Sequence, residues 1–279
     1  MLGNGKKNIG YDLSSYTEKS AVIPVVYDAD AVLYFNRVAA VGGTLTTAEK
    51  NAVNTMTLSL KSDGIWNSLL ALYPFLGTNA ASFAQNLKSA TYTGVFFGGW
   101  TYSSLGAKPN GLNGYFSTTI AGYPELINEK FISMATYVNE FIETPRAQMG
   151  AIGANNTFNL IAPKLDSATL GRYVATGNNT ATMVTDASAI KGFLGVSRIS
   201  LANFRYYKGN VGTLSTLTAG PGGYIYPIVM GAFGGYGGTI GNFDNARIAF
   251  GHISNGLDDT KMVALANLVL TYNTTLGRN

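Results

Sequence analysis

The side chains in this sequence whose type and spacing could do chemistry are few. They are a lone histidine, His252, a Ser188–Lys191 pair, carboxylates at Glu140 and Glu143, and aspartate pairs at Asp28/Asp30 and Asp258/Asp259. A histidine acting as general base needs a nucleophile held beside it, and the G-x-S-x-G elbow that would present one does not occur in the sequence. Ser188 and Lys191 have the S-x-x-K spacing that sets a serine beside a lysine on one helical turn, but the S-D-N and K-T-G elements that complete such a site are missing. Glu140 and Glu143 are three residues apart in a stretch that reads as a strand. They would therefore face opposite ways and could not converge on a glycosidic bond as a pair about 5 to 10 Å apart.

The aspartate pairs are better read as helix-start acids, which cap the first turn and complement the helix dipole. A metal site without cysteine and with one histidine would depend on clustered carboxylates, and these are sparse. GAFGGYGGTIG, from 231 to 241, lacks the G-x-G-x-x-G spacing and no crossover helix follows it, so it reads as a loop or strand edge. No catalytic residue, metal ligand or cofactor is expected. The remaining candidates are aromatic: Trp100 and Tyr102 near a glycine-rich turn, and Arg205, Tyr206 and Tyr207 in a row. Exposed, such side chains can stack on sugar rings or serve protein contacts.

The composition narrows the partners. The 279 residues carry a net charge of +4 from 19 Lys and Arg scattered along the chain, not the concentrated stripe of a nucleic-acid groove. Zero cysteines exclude disulfides and thiolate chemistry. The first residues lack the apolar run of a secretory signal, and no stretch approaches the roughly 18 to 20 apolar residues that span a bilayer. Neither nucleic acid nor membrane is an expected partner. Only 12% of residues are charged, while Gly reaches 34 copies, Tyr 17 and Phe 14, a mix that favours strands and tight turns.

The elements that must hold these residues follow from periodicity. Residues 1–27 read as an extended arm. Residues 28–76 read as a short helical segment of three helices. In the first, Val32, Phe35 and Ala39 share a side. The second is opened by a Thr46/Glu49 capping box, carries Val53, Met56 and Leu60, and ends at Gly64. The third spans IWNSLLALYPF. Residues 77–279 then alternate short Tyr-, Phe-, Val- and Thr-rich segments with Gly, Asn and Pro. These include Ala90 to Phe97, Ser133 to Ile142, Phe204 to Lys208 and Ala246 to Ile253, with His252 sharing the parity of Ala246, Ile248 and Phe250. This spacing predicts an antiparallel β-sandwich. A last helix from Asp258 to Leu276, with Met262, Leu265, Val269, Tyr272 and Leu276 on one stripe, caps it.

Four stretches, GIWNSLLALYPFLG followed by QNLK, GGWTYSSLGAKPNGLNGYFST, GVSRISLANFRYYKGN, and the terminus from Asn242 to Asn279, together carry a resemblance. Over about residues 28–279 the chain resembles a family of phage virion proteins, of tail, fibre or head-surface type, with a concanavalin A-like (laminin G-like) sandwich. The fold this implies is mainly β: a concanavalin A-like antiparallel β-sandwich (jelly roll) with a short N-terminal helical segment and a C-terminal capping helix. In the family pattern the terminus is a strand, a turn and a helix ending in L-G-R, here Leu276-Gly277-Arg278. Asp258 stands at the capping position, and Lys261 replaces the acid of a capping box.

The resemblance implies no reaction. It implies a structural component exposed on a bacteriophage particle, made in the host cytoplasm and assembling with other virion proteins and with itself. The alternative expectation is a carbohydrate-binding module that recognises a host or mucus glycan through sandwich loops.

Overall fold

The computed structural model describes residues 26–121, 131–142, 146–152, 158–163, 170–174, 182–185, 190–216, 227–234 and 239–279. Residues 1–25, most of the expected arm, lie outside them, as do Glu143, Ser188 and residues 235–238 of the glycine-rich stretch.

Four helices occur among the described residues: α1 (Ala29–Ala40), α2 (Thr47–Ser62), α3 (Ala80–Phe83) and α4 (Asp259–Thr275). The strands run from β1 (Leu69–Tyr73), β2 (Val95–Phe97), β3 (Trp100–Ser103) and β4 (Gly106–Pro109) to β5 (Tyr115–Ala121) and β6 (Ile132–Ile142). Then come β7 (Met149–Ile152), β8 (Phe158–Ala162), β9 (Leu170–Val174), β10 (Thr182–Thr185), β11 (Ile190–Ser197) and β12 (Asn203–Lys208). The last five are β13 (Val211–Thr216), β14 (Pro227–Met230), β15 (Phe233–Gly234), β16 (Ile240–Gly241) and β17 (Ile248–Asn255).

The strands form two sheets. One has the order β13-β12-β11-β6-β17-β4-β3, with β1 also on β17. The other has the order β10-β9-β8-β7-β14-β5-β2, with β15 and β16 attached. Pairing is antiparallel except for a parallel bridge from Gly234 to Ala151. One apolar cluster, including Phe116 and Met230 from the second sheet and Met134, Leu194 and Ile253 from the first, fills the space between them. The fold is thus mainly β, a sandwich with a C-terminal helix.

A second cluster covers the outer face of the first sheet, where Tyr34, Val53, Met56, Leu265 and Val269 of α1, α2 and α4 meet Ala135, Tyr137, Phe193 and Phe250. The protein is therefore layered helix, sheet, sheet, and the helices of the N-terminal segment pack on the sandwich. Thr46 and Glu49 form the expected capping box, Gly64 adopts φ +66° past the end of α2, and Asp258 caps α4 through the Lys261 amide at 2.9 Å.

Three readings of the sequence need correction. LLALY is not helical: a single 3-10 turn at Trp66–Ser68 leads into β1, which pairs with β17 as Leu72↔His252 and Tyr73↔Gly251. Its side chains pack towards both clusters, all buried but the partly covered Leu70, so the run is continuously apolar, and such a run reads alike as strand or helix. The buried side of α1 is Ala31, Tyr34 and Val38, while Val32 and Ala39 are exposed. The expected strand from Ala90 starts only at Val95, after a turn in which Tyr92 holds φ +57°.

Candidate functional site

Where β12 meets the start of α4, a groove of about 530 Å³ opens on the first sheet. The sequence builds it simply. Asp258 ends the loop after β17 by capping α4, which sets Asp259 in the first helical turn. Alternation along β12 then sends Tyr207 and Arg205 to the same side, towards that turn. The Tyr207 hydroxyl donates to Asp259 Oδ1 at 2.9 Å, and Arg205 Nε stands 3.7 Å from the same oxygen. Burial, then the bond to Asp259, raises the Tyr207 pKa, so the phenol stays protonated. The Arg205 and Asp259 side chains remain 35% and 48% exposed, enough to meet a ligand. Ser200 and Asn203 add polar groups, Leu257 supplies a buried apolar floor, and Ile199 and Leu214 line the rim.

Of the five aromatic-site candidates, the groove gathers Arg205 and Tyr207 only. Tyr206 points to the opposite face, against the cluster between the sheets. A row of three along a strand cannot make one surface, because successive side chains alternate. Trp100 and Tyr102 are inward-facing on the edge strand β3. Trp100 lies 4.9 Å from Phe96 and its indole donates to the Phe97 carbonyl, while Tyr102 packs against Phe83 and Phe96 at 5.2 and 5.1 Å. They close the open edge of the sandwich.

The acid–base candidates are held by structure. His252 is fully buried, its pKa is pushed down to about 3 by burial, and its Nε2 shares a hydrogen bond with Ser254 Oγ at 3.0 Å. A bulge between Ile248 and Phe250 breaks the expected parity. His252 faces the helices with Phe250, opposite Ala135 and Leu72, while Ile248 turns to the core between the sheets. Glu140 is bound by Lys108 at 2.7 Å and Arg247 at 3.1 Å. Burial raises its pKa, but these two cations outweigh burial and hold it below the carboxylate range. Asp28 and Asp30 share Lys61 at 2.7 and 2.6 Å. Lys191 sits in strand β11 and not on the helical turn that its motif would need. No group of three metal-ligating side chains occurs among the described residues, and no described helix is long and apolar enough to cross a membrane.

Two buried groups escaped the sequence reading. Arg278 is 1% exposed and donates to the carbonyls of Ser104, Pro74, Ala249 and Phe75. Asp244, also buried, accepts from the Gln148 amide, and burial pushes its pKa up to about 6. The L-G-R ending was the only sequence signal for Arg278, and nothing distinguished Asp244 from a loop aspartate.

No protein-family model matches the chain and no curated protein does. Solved structures do resemble it. A mutant of Trypanosoma rangeli sialidase displaying trans-sialidase activity matches with a TM-score of 0.51 and 10% identity, over 81% of this chain and 39% of that one. The T. rangeli sialidase in complex with sialic acid gives 0.50 and 9%, over 78% and 38%. Domain 4 of a GH43 extracellular arabinanase from Geobacillus stearothermophilus, in complex with arabinotriose, gives 0.49 and 14%, over 72% and 98%. The chain spans about two fifths of the length of the sialidases it matches. At these identities the likeness is one of fold: this chain is built as a β-sandwich of the kind found within those sialidases.

Proposed function

We propose that the chain is a glycan-recognition module whose groove between β12 and α4 takes the sugar. The observation that carries this reading is the groove, whose volume of about 530 Å³ falls among small-ligand sites and whose polar side chains converge over an apolar floor. The structural likeness to a sialidase in complex with sialic acid supports it. The module binds and does not cleave. A glycan array probed with the purified chain tests this: binding that is lost in Arg205→Ala is expected, and an array silent at high protein concentration would sink the reading. Release of free sugar from any bound glycan would overturn the non-enzymatic part.

A second reading, compatible with the first, is a structural component exposed on a phage particle that assembles through protein contacts. The sequence resemblance favours it. So do two exposed apolar side chains that line one groove at the outermost strand β13, Ile199 and Leu214, each 53% exposed. Clustered exposed apolar side chains mark contact surfaces more often than solvent-facing ones. In this reading the arm of residues 1–27 attaches the chain to neighbouring subunits. Locating the chain in purified particles tests the reading, and incorporation unchanged by deleting residues 1–27 would remove that role of the arm.

A further inference from the structure

The charges and free valences of the groove define the class of sugar it takes, an inference that rests on the glycan reading above. Three charged side chains line it: Arg205, Asp258 and Asp259, one positive and two negative. Asp258 is committed to its capping bond with the Lys261 amide through Oδ1. Asp259 uses Oδ1 for Tyr207 and for its approach to Arg205 Nε. Asp259 Oδ2 and the two Nη groups of Arg205 have no hydrogen-bond partner among the described residues. The groove thus offers a carboxylate oxygen that only accepts, beside guanidinium nitrogens that only donate.

We infer that the groove takes an uncharged saccharide presenting two adjacent hydroxyls. A hydroxyl both donates and accepts, so one of a vicinal pair donates to Asp259 Oδ2 while its neighbour accepts from Arg205 Nη. Bonds of this kind to charged partners are stronger than those between neutral groups. Ser200 and Asn203 can complete further hydroxyls, and Ile199 and Leu214 offer apolar surface to the C–H face of the ring. A sugar acid fits badly. Its carboxylate would enter a site already carrying a net negative charge, where the one cation is shared with Asp259, and like charges brought together in a groove repel. The acid-binding habit of a fold neighbour therefore does not transfer to this groove.

Matched neutral and acidic probes test the inference: lactose against 3′-sialyllactose, and galactobiose against digalacturonate, by calorimetry on the full chain at low salt. The expected result is that a neutral member binds at least tenfold tighter than its acidic counterpart. Asp259→Asn should weaken neutral binding about tenfold and narrow the ratio between the pair. Arg205→Gln, on the other wall of the groove, should weaken neutral binding without narrowing it, and thermal denaturation of both variants reports their folding. Tighter binding of the acidic members, or neutral binding unchanged in Asp259→Asn, would overturn the inference and leave the glycan reading standing. Silence of both probe pairs and of the whole array removes the glycan reading and this inference with it.

Discussion

The Tyr207 hydroxyl donates to Asp259 at 2.9 Å, tying the penultimate strand of the first sheet to the first turn of the C-terminal helix. One bond thereby joins the helical layer to the sheet and orients the acid of the groove. Tyr207→Phe removes it without a cavity. The expected cost is about 1 kcal/mol, the usual net worth of such a bond, read from the urea unfolding midpoint. Sugar binding should weaken several-fold at the same time, because the carboxylate is no longer held. A stability loss with unchanged binding would show that Tyr207 does not position Asp259.

Trp100 is expected to behave oppositely. Its ring fills the sandwich edge against Phe96 and its Nε1 satisfies the Phe97 carbonyl. Trp100→Ala should destabilise by roughly 2 to 3 kcal/mol, below the cost of a fully buried aromatic because the side chain is only partly covered. Glycan binding at the groove should survive. An array signal lost in Trp100→Ala at a temperature where the variant is folded would place a sugar contact at this edge instead.

These two residues also show what the sequence could carry. Alternation placed β6, β12 and β17 within a residue or two, and the 3.6-residue stripe placed Met262, Leu265, Val269 and Tyr272 on the buried side of α4. Caps at Thr46 and Asp258 were legible because capping is local, fixed by residues three apart. The misreading of β1 as a helix was of another kind. Leu69 and Leu72 are buried under the helical layer and Tyr73 against Phe116 of the second sheet, with β17 alongside, and no local pattern encodes that. The groove failed to show for the same reason. Asp259 lies 52 residues from Tyr207, and in sequence it looks like any acid in a first helical turn.

Arg278 is the clearest tertiary device of this sort. Its guanidinium ties the segment after β1, the turn between β3 and β4, and β17 to the end of the chain through four carbonyls. Arg278→Ala leaves the buried carbonyls of Pro74, Phe75 and Ala249 short of donors, and about 3 kcal/mol or more of destabilisation is expected. Arg278→Lys should recover little, since one ammonium cannot reproduce the planar fork that reaches Pro74, Phe75 and Ala249 together. A lysine variant as stable as the parent would show that charge alone, and not the fork, closes this corner.

The acid limb of stability should be set by two buried groups pulling in opposite directions. His252 has a folded pKa lowered by burial from 6.5 to about 3, so the unfolded chain takes up its proton first as pH falls. Its contribution is intact above about pH 6.5 and is lost progressively towards pH 3, by at most about 1.4 kcal/mol per unit. Asp244 has a folded pKa raised by burial from 3.8 to about 6, so the folded chain holds that proton longer, and its term falls as pH rises from 3.8 to 6. Between about pH 4 and 6 the two slopes oppose each other, and the urea midpoint should be nearly flat there. Substituting one partner should expose the other: His252→Gln should make the midpoint fall with rising pH across this window, and Asp244→Asn should make it rise. If His252→Gln keeps the parent's slope, the histidine is not the proton-linked group, and the acid limb belongs to carboxylates such as Glu140, which its cations hold ionised to lower pH.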